Sequence, residues 1–107
     1  MTEPEWQLLD GISPQTTSFP TRAWVQDESI IVFATPAGFR GVQRSCPHLK
    51  ATLMTASLMA NGAQLRCAEH NFVFRLSDGK GVNCPGFRIK IYEIKEEGGA
   101  LFARVPD

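Results

Sequence analysis

The sequence predicts an all-β domain, built as an antiparallel sandwich or small barrel. Short runs of β-branched and aromatic residues are cut at regular intervals by turn residues, a spacing typical of antiparallel sheets. No stretch of the 107 residues predicts a convincing helix. A chain of this length forms one domain with a modest core, so we expect roughly eight or nine short strands in a single unit.

The first part of the chain is predicted to contain four strands. Residues 28–35 are the strongest of them, because consecutive β-branched and aromatic residues are followed by a Pro-Ala-Gly turn. Pro20 lacks a backbone N–H and therefore indicates an edge strand or a bulge. The four predicted strands are residues 6–9, 17–25, 28–35 and 39–45.

The middle of the chain is predicted to be a loop followed by a hairpin. Residues 49–60 carry leucines and methionines at helical spacing, but their threonines and short length argue against a long helix. We expect a loop there with one helical turn at most. Asn61-Gly62 is a typical hairpin turn that would lead into a strand at residues 64–67. Another strand is predicted at residues 71–76.

The C-terminal part is predicted to be a second hairpin. Apolar and polar residues alternate over residues 88–91, and the alternation slips by one position at residues 92–94. We interpret this slip as a β-bulge, which inserts one extra residue into a strand. Turn residues at 96–99 then lead into a last strand at residues 101–105.

Charge and hydrophobicity exclude several classes of function. Lysine plus arginine equals aspartate plus glutamate, at eleven each, so there is no basic excess to attract nucleic acid. The acidic first residues precede no apolar run typical of a secretory signal, and the longest apolar run, residues 30–34, cannot span a bilayer. We therefore expect a cytoplasmic protein without membrane or nucleic-acid partners, whose three cysteines stay reduced.

Two cysteines and both histidines of the chain form a candidate metal site. Cys46-x-His48 and Cys67-x-x-His70 are separated by eighteen residues, and each pair falls where a hairpin arm is predicted to turn. Thiolates together with imidazoles suit zinc or an iron–sulfur cluster. Structural zinc sites usually place two to four residues between paired ligands, so the single residue of Cys-x-His favours a cluster of two irons.

This pattern resembles the Rieske family. Cys46-Pro47-His48 and Cys67-x-x-His70 carry the resemblance, and it extends over roughly residues 6–105. Further matching positions are Leu53, Phe74, Asp78-Gly79, Pro85 and the hairpin 92–105. The sequence departs from the family in three places: the long gap between the two pairs, Asn71 in place of a frequent glycine, and Ala68 in place of a frequent proline.

The resemblance implies one [2Fe–2S] cluster of Rieske type. Cys46 and Cys67 would then hold one iron, and His48 and His70 the other. It also implies a single Rieske domain over residues 1–107, with a cluster-binding subdomain at about residues 45–86 formed by two loops. Asparagine tolerates positive φ better than most residues, so Asn71 should preserve the turn.

The resemblance also bears on the redox potential. High-potential family members have two more cysteines that form a disulfide, and here the matching positions are Ala51 and Glu69. They also have two hydroxyl side chains that donate to sulfur, and here those positions are Phe72 and Phe74. Fewer hydrogen bonds to sulfur lower the potential, so we expect a value near roughly −150 mV. Cys84, the remaining cysteine, is predicted to be a small buried hydrophobic residue rather than a reactive thiol.

The expected function is that of a ferredoxin. Such a protein is not itself catalytic; it carries single electrons from a flavin-dependent NAD(P)H reductase to an oxygenase, and both encounters are transient. An alternative is a small subunit resembling that of assimilatory nitrite reductase, which has the same fold. A third alternative is a zinc-stabilised binding module, although the Cys-x-His spacing and the balanced charge disfavour it.

Overall fold

The computed structural model describes residues 6–47, 52–69 and 71–104. Within these ranges the chain forms nine strands and two single-turn 3-10 helices, so the all-β prediction is confirmed. Among the described residues, no helix is long and apolar enough to cross a membrane. The strands are β1 (Trp6–Leu8), β2 (Thr21–Val25), β3 (Glu28–Thr35), β4 (Gly38–Gln43), β5 (Ser57–Met59), β6 (Gln64–Arg66), β7 (Val73–Arg75), β8 (Ile91–Glu97) and β9 (Ala100–Arg104), and the 3-10 helices are Leu53–Thr55 and Ala60–Gly62.

Six strands form the main sheet, in the order β1-β9-β8-β4-β3-β2, and every pairing in it is antiparallel. The two outer strands of this order also meet. Asp10, just after β1, and Trp24 of β2 exchange two backbone hydrogen bonds, each 2.9 Å long. Because this contact joins opposite edges, the sheet curls into a small barrel.

The other three strands form a small sheet in the order β5-β6-β7, inserted in the sequence between β4 and β8. Leu58 of β5 pairs with Leu65 of β6 across the predicted Asn61-Gly62 turn, where φ is 57° and 88°. The hairpin is therefore confirmed, with the left-handed backbone that Asn and Gly favour. Strand β5 lies in the region expected to be a loop. It has only three residues, of which Leu58 alone is partly buried, so its sequence carries a weak strand signal.

The main sheet separates two apolar cores, and β3 contributes to both. Ile30 and Val32 point into one core, and the alternate residues Ile31 and Phe33 point into the other. The barrel core consists of Leu9, Ala23, Val25, Ile30, Val32, Tyr92, Leu101 and Ala103. The cysteine core, between the main and small sheets, consists of Ile31, Phe33, Val42, Cys46, Leu53, Leu65, Cys67, Phe74, Leu76, Cys84 and Ile89.

The predicted bulge in the C-terminal hairpin is wrong. Residues 91–93 of β8 pair with β4, and residues 93–97 pair with β9. Neither register skips a residue, and Glu93 takes part in both. Ile89 and Ile91 face the cysteine core, whereas Tyr92 and Ile94 face the barrel core. The alternation changes phase because the segment leaves one core and enters the other, and a regular strand does this without an extra residue.

The other strand boundaries differ by a few residues. Strand β2 begins at Thr21, so the predicted start at residue 17 is four residues early. Pro20 lies just before it in a cis Phe19–Pro20 bond, and β2 is an edge strand, as Pro20 indicated. Strand β9 ends at Arg104, and Val105 of the predicted last strand lies outside the described residues.

Candidate metal centre

Cys46 and Cys67 reach the same core from two separate loops. Cys46 lies just beyond β4 and is 1% exposed, and Cys67 directly follows β6 and is 0% exposed. Both belong to the cysteine core, and both are thiols rather than halves of a disulfide. The other two predicted ligands, His48 and His70, lie outside the described residues, as does Ala51.

The loop that carries Cys46 is closed at its base. Ser45 and Thr52 form an isolated antiparallel bridge, and the Leu53 N–H donates to the Arg44 carbonyl at 3.0 Å. The Thr52 hydroxyl oxygen then accepts from the Met54 N–H and caps the 3-10 helix. Cys46 is therefore held next to a backbone clamp.

The loop that carries Cys67 is a tight turn. The Cys67 N–H donates to the Phe72 carbonyl at 2.8 Å, and the Asn71 N–H donates to the Cys67 carbonyl at 2.9 Å. Asn71 has φ of 56°, so the expectation that asparagine keeps this turn is confirmed. Its side-chain oxygen also accepts from Arg66 at 2.5 Å. Both backbone polar groups of Cys67 are thus paired within the turn, which holds the backbone at this residue in place.

A third loop, residues 81–88, packs onto the Cys67 turn. Asn83 makes two 2.9 Å hydrogen bonds: its side-chain oxygen accepts from the Val73 N–H, and its amide nitrogen donates to the Asn71 carbonyl. The Val82 N–H donates to the Val73 carbonyl at 2.7 Å. Sequence analysis missed Asn83, although an asparagine between turn residues often bonds nearby backbone groups and could have indicated this role.

Cys84 in this third loop is buried, as predicted. It is 5% exposed, and its Sγ lies 3.8 Å from the Val73 carbonyl oxygen. Burial raises the pKa of the Cys84 thiol, although its backbone hydrogen bonds act in the opposite direction. Gly81 beside it has no room for a side chain, because an added Cβ would lie 2.6 Å from the Cys84 Sγ and 2.5 Å from its carbonyl oxygen.

Aromatic side chains without hydroxyl groups complete the surroundings of the two cysteines. Phe74 is fully buried in the cysteine core, and Phe72 is half-buried against it. Phe72 and Phe87 pack at 5.7 Å between ring centroids, tilted by 35°. These residues exclude water from the core, and neither Phe72 nor Phe74 can donate a hydrogen bond to sulfur.

The donor set fits one half of an iron–sulfur cluster. The described residues provide two buried thiols from two clamped loops, and both lie in the cysteine core. A cluster of two irons needs two thiolates at one of them, so Cys46 and Cys67 suffice for that half.

Comparison with known proteins gives the family context. The family model of the Rieske [2Fe-2S] domain matches residues 5–93. The methanesulfonate monooxygenase ferredoxin subunit of Methylosulfonomonas methylovora is 30% identical over 81 residues, which cover 76% of this chain and 65% of that subunit. The chain therefore spans less than two-thirds of the length of this relative.

Two solved structures have the same fold at low sequence identity. The ferredoxin of carbazole 1,9a-dioxygenase from Nocardioides aromaticivorans IC177 matches with a TM-score of 0.70 at 16% identity, covering 98% of this chain and 100% of that one. A structure described as a nitrite reductase NADPH small subunit matches with a TM-score of 0.67 at 18% identity, covering 81% of this chain and 87% of that one. At these identities the likeness shows the fold alone.

Proposed function

Because the chain belongs to the Rieske [2Fe-2S] domain family, we propose that it is a ferredoxin, a one-electron carrier serving an oxygenase. The carrying observation is that two cysteines from separate, clamped loops share one water-excluding core. The similarity to the ferredoxin subunit of a methanesulfonate monooxygenase supports this function. So does the ferredoxin structure whose full length the chain matches.

Four residues would hold the [2Fe–2S] cluster that the family implies. We assign Cys46 and Cys67 to one iron and His48 and His70 to the other, with one cluster per chain. When bound, such a cluster accepts and releases one electron. The ligands fall within a cluster-binding subdomain at about residues 45–86 of a single domain spanning residues 1–107.

The surrounding residues support this role in two ways. Phe74, Leu53 and Leu65 are fully buried with the two cysteines, so they exclude water from the thiolates. The bridge between Ser45 and Thr52 and the turn closed by Cys67 hold both loops in place. A fixed, dry ligand set suits a carrier, because binding and releasing an electron then requires little movement of the protein.

The expected partners are a flavin-dependent NAD(P)H reductase and a terminal oxygenase, both bound transiently. The protein itself makes and breaks no substrate bond in this scheme. We also propose a cytoplasmic location, because thiols destined for a cluster need a reducing compartment. A nitrite reductase small subunit is the alternative; the presence of all four ligand residues in this sequence favours the carrier.

Analysis of the anaerobically purified protein tests this function. We expect two irons and two acid-labile sulfides per chain, and uptake of one electron per chain in a coulometric titration. The Cys84→Ser variant should give the same values, because Cys84 is not among the proposed ligands. One zinc per chain with no sulfide would contradict the carrier function, and tight co-purification with a sirohaem enzyme would favour the nitrite reductase subunit.

A further inference from the structure

The charges of this neutral chain are unevenly distributed along the sequence. Residues 40–90, which include all four proposed ligands, contain eight lysines and arginines and only two carboxylates. The remaining residues contain three cations and nine carboxylates. The part of the chain that carries the ligands therefore has an excess of six positive charges, and the remainder has an excess of six negative charges. The net charge of zero does not reveal this uneven distribution of charge.

Three of these cations lie together beside the third loop. Lys80 and Arg88 form an isolated antiparallel bridge, so their side chains leave the backbone on the same face. Lys90 is two residues further on, and the buried Ile89 between them shows that Arg88 and Lys90 project to the same side. All three cations are exposed.

These cations have no carboxylate partner within the described ranges. Asp78, the carboxylate nearest to Lys80 in sequence, is already paired with Arg75 at 2.6 Å and accepts the backbone N–H of Lys80. Glu93, the carboxylate nearest to Arg88 and Lys90, is paired with Arg104 at 2.7 Å. The other ion pair of the described residues involves Lys95, which lies in the C-terminal hairpin. Like charges directly opposite one another in a ladder are destabilising. An external anion between them would offset this repulsion.

The surface around the cations is concave and partly apolar. A cavity of about 330 Å³ is lined by Lys80, Gly81, Gly86, Phe87 and Arg88. Phe87 packs against the cysteine core, and Val82 in the same loop is 50% exposed. The loop is tied to the Cys67 turn through Asn83. Apolar groups rimmed by charge are typical of the surfaces at which proteins dock.

We infer that this surface, defined by Lys80, Val82, Phe87, Arg88 and Lys90, is the docking site for an acidic surface on a partner protein. A carboxylate of the partner enters the cavity between Lys80 and Arg88, and apolar side chains cover Val82. The inference rests on the proposed function, since it assigns a charge to the proteins that exchange electrons with this one. Opposite charges speed such encounters and make their rates depend on salt.

Matched single substitutions test the docking surface. Arg88→Gln removes one cation from it. Arg22→Gln removes one exposed cation from β2, an edge strand of the main sheet that is not part of the docking surface. The probe is fluorescein-labelled poly-L-glutamate, followed by fluorescence anisotropy at low salt. We expect Arg88→Gln to raise the Kd roughly threefold or more, and Arg22→Gln to change it little. Equal effects of the two substitutions would overturn the inference.

A kinetic readout addresses the same surface in the reduced protein. Hexacyanoferrate(III), a trivalent anion, takes one electron from the reduced protein and becomes hexacyanoferrate(II); hexaamminecobalt(III) is the trivalent cationic oxidant for comparison. Arg88→Gln should slow the reaction with the anion and leave the reaction with the cation unchanged or faster. An unchanged anion rate would overturn the inference.

The two readouts separate this inference from the proposed function. Poly-L-glutamate binding does not depend on a cluster, so a colourless protein that still loses this binding in Arg88→Gln would contradict the carrier and support the acidic partner. A red-brown protein with no such loss would support the carrier and contradict the acidic partner. Self-association of the wild type that Arg88→Gln abolishes would assign the surface to a second copy of the chain and overturn the inference.

Discussion

The side-chain oxygen of Asn83 accepts a hydrogen bond from the backbone N–H of Val73 at 2.9 Å. Val73 opens the strand that follows the Cys67 turn, and the amide nitrogen of Asn83 donates to Asn71 within that turn. One asparagine thus connects the third loop to the loop that carries a proposed ligand. The two cysteine loops are clamped by their own backbones, and Asn83 adds a clamp from outside.

Replacing Asn83 should weaken this connection. Asn83→Ala leaves the Val73 N–H without its acceptor, and unpaired polar groups at partly buried positions cost about 1–3 kcal/mol. We expect a loss of stability in that range, measured by urea unfolding, and faster loss of iron to a chelator. Asn83→Asp keeps an acceptor for Val73 but loses the donor to Asn71, so its effect should be smaller. Identical behaviour of Asn83→Ala and the wild type would show that the connection contributes nothing.

Gly81 should tolerate no side chain. A Cβ there would lie 2.5 Å from the Cys84 carbonyl oxygen and 3.1 Å from that of Phe87, and both are backbone atoms that cannot turn aside. We expect Gly81→Ala to lower the free energy of unfolding by about 1–3 kcal/mol, as overpacking does. Unchanged stability in Gly81→Ala would mean that the third loop can shift freely.

The sequence predicted most of this fold because strand signals were strong where burial was strong. The predicted strand at residues 28–35 has the observed limits, since β3 is buried on both faces and its four central apolar residues could not be overlooked. The bulge predicted at residues 92–94 was wrong because periodicity is defined relative to one core, and this segment passes between two. Strand β5 was not predicted because two of its three residues are exposed.

At the site, residue spacing predicted Cys46 and Cys67 as ligands, but it did not predict the residues that hold their loops in place. Cys46 and Cys67 were found from ligand chemistry, and both lie in one core. Asn83 and Gly81 act through the backbone of distant loops, and a single sequence carries no signal of which loops will meet. The pairing of the cations Lys80 and Arg88 was not predicted for the same reason, because seven residues lie between them in the sequence.

Tyr92 should remain protonated at unusually high pH. Its hydroxyl donates to Glu28, and burial, followed by this carboxylate, raises its pKa well above the ordinary value. The pKa of Tyr92 is higher in the folded than in the unfolded protein. Its contribution to the free energy of unfolding is therefore fully present below about pH 10 and is lost as pH rises above that value. We expect the urea midpoint to fall above about pH 10 in the wild type and less so in Tyr92→Phe.

The tyrosine can also be titrated directly, because it is the single tyrosine of the chain. The difference in absorbance at 295 nm between the wild type and Tyr92→Phe isolates its ionisation. Glu28→Gln should bring the apparent pKa closer to the ordinary value without restoring it, since burial remains. Ionisation near pH 10 in the folded wild type would contradict the burial of this hydroxyl.

The redox potential should lie near the low end of the Rieske range, at roughly −150 mV. The physical reason is that Phe72 and Phe74 cannot donate hydrogen bonds to sulfur, and such bonds stabilise the reduced cluster. Phe74→Tyr adds a hydroxyl to the core that holds both cysteines and should raise the potential in an EPR-monitored titration. Phe39→Tyr, against the barrel core, should leave it unchanged. A wild-type potential well above zero would contradict this explanation.

The most direct test of the central claim is the EPR spectrum of the dithionite-reduced protein. Histidine-ligated [2Fe–2S] centres have a lower average g-value than centres with four cysteines. We predict that low value for the wild type and for Cys84→Ser, and no such signal for Cys46→Ser or Cys67→Ser. A four-cysteine type of spectrum, or an unaltered signal in Cys67→Ser, would contradict ligation by Cys46, His48, Cys67 and His70.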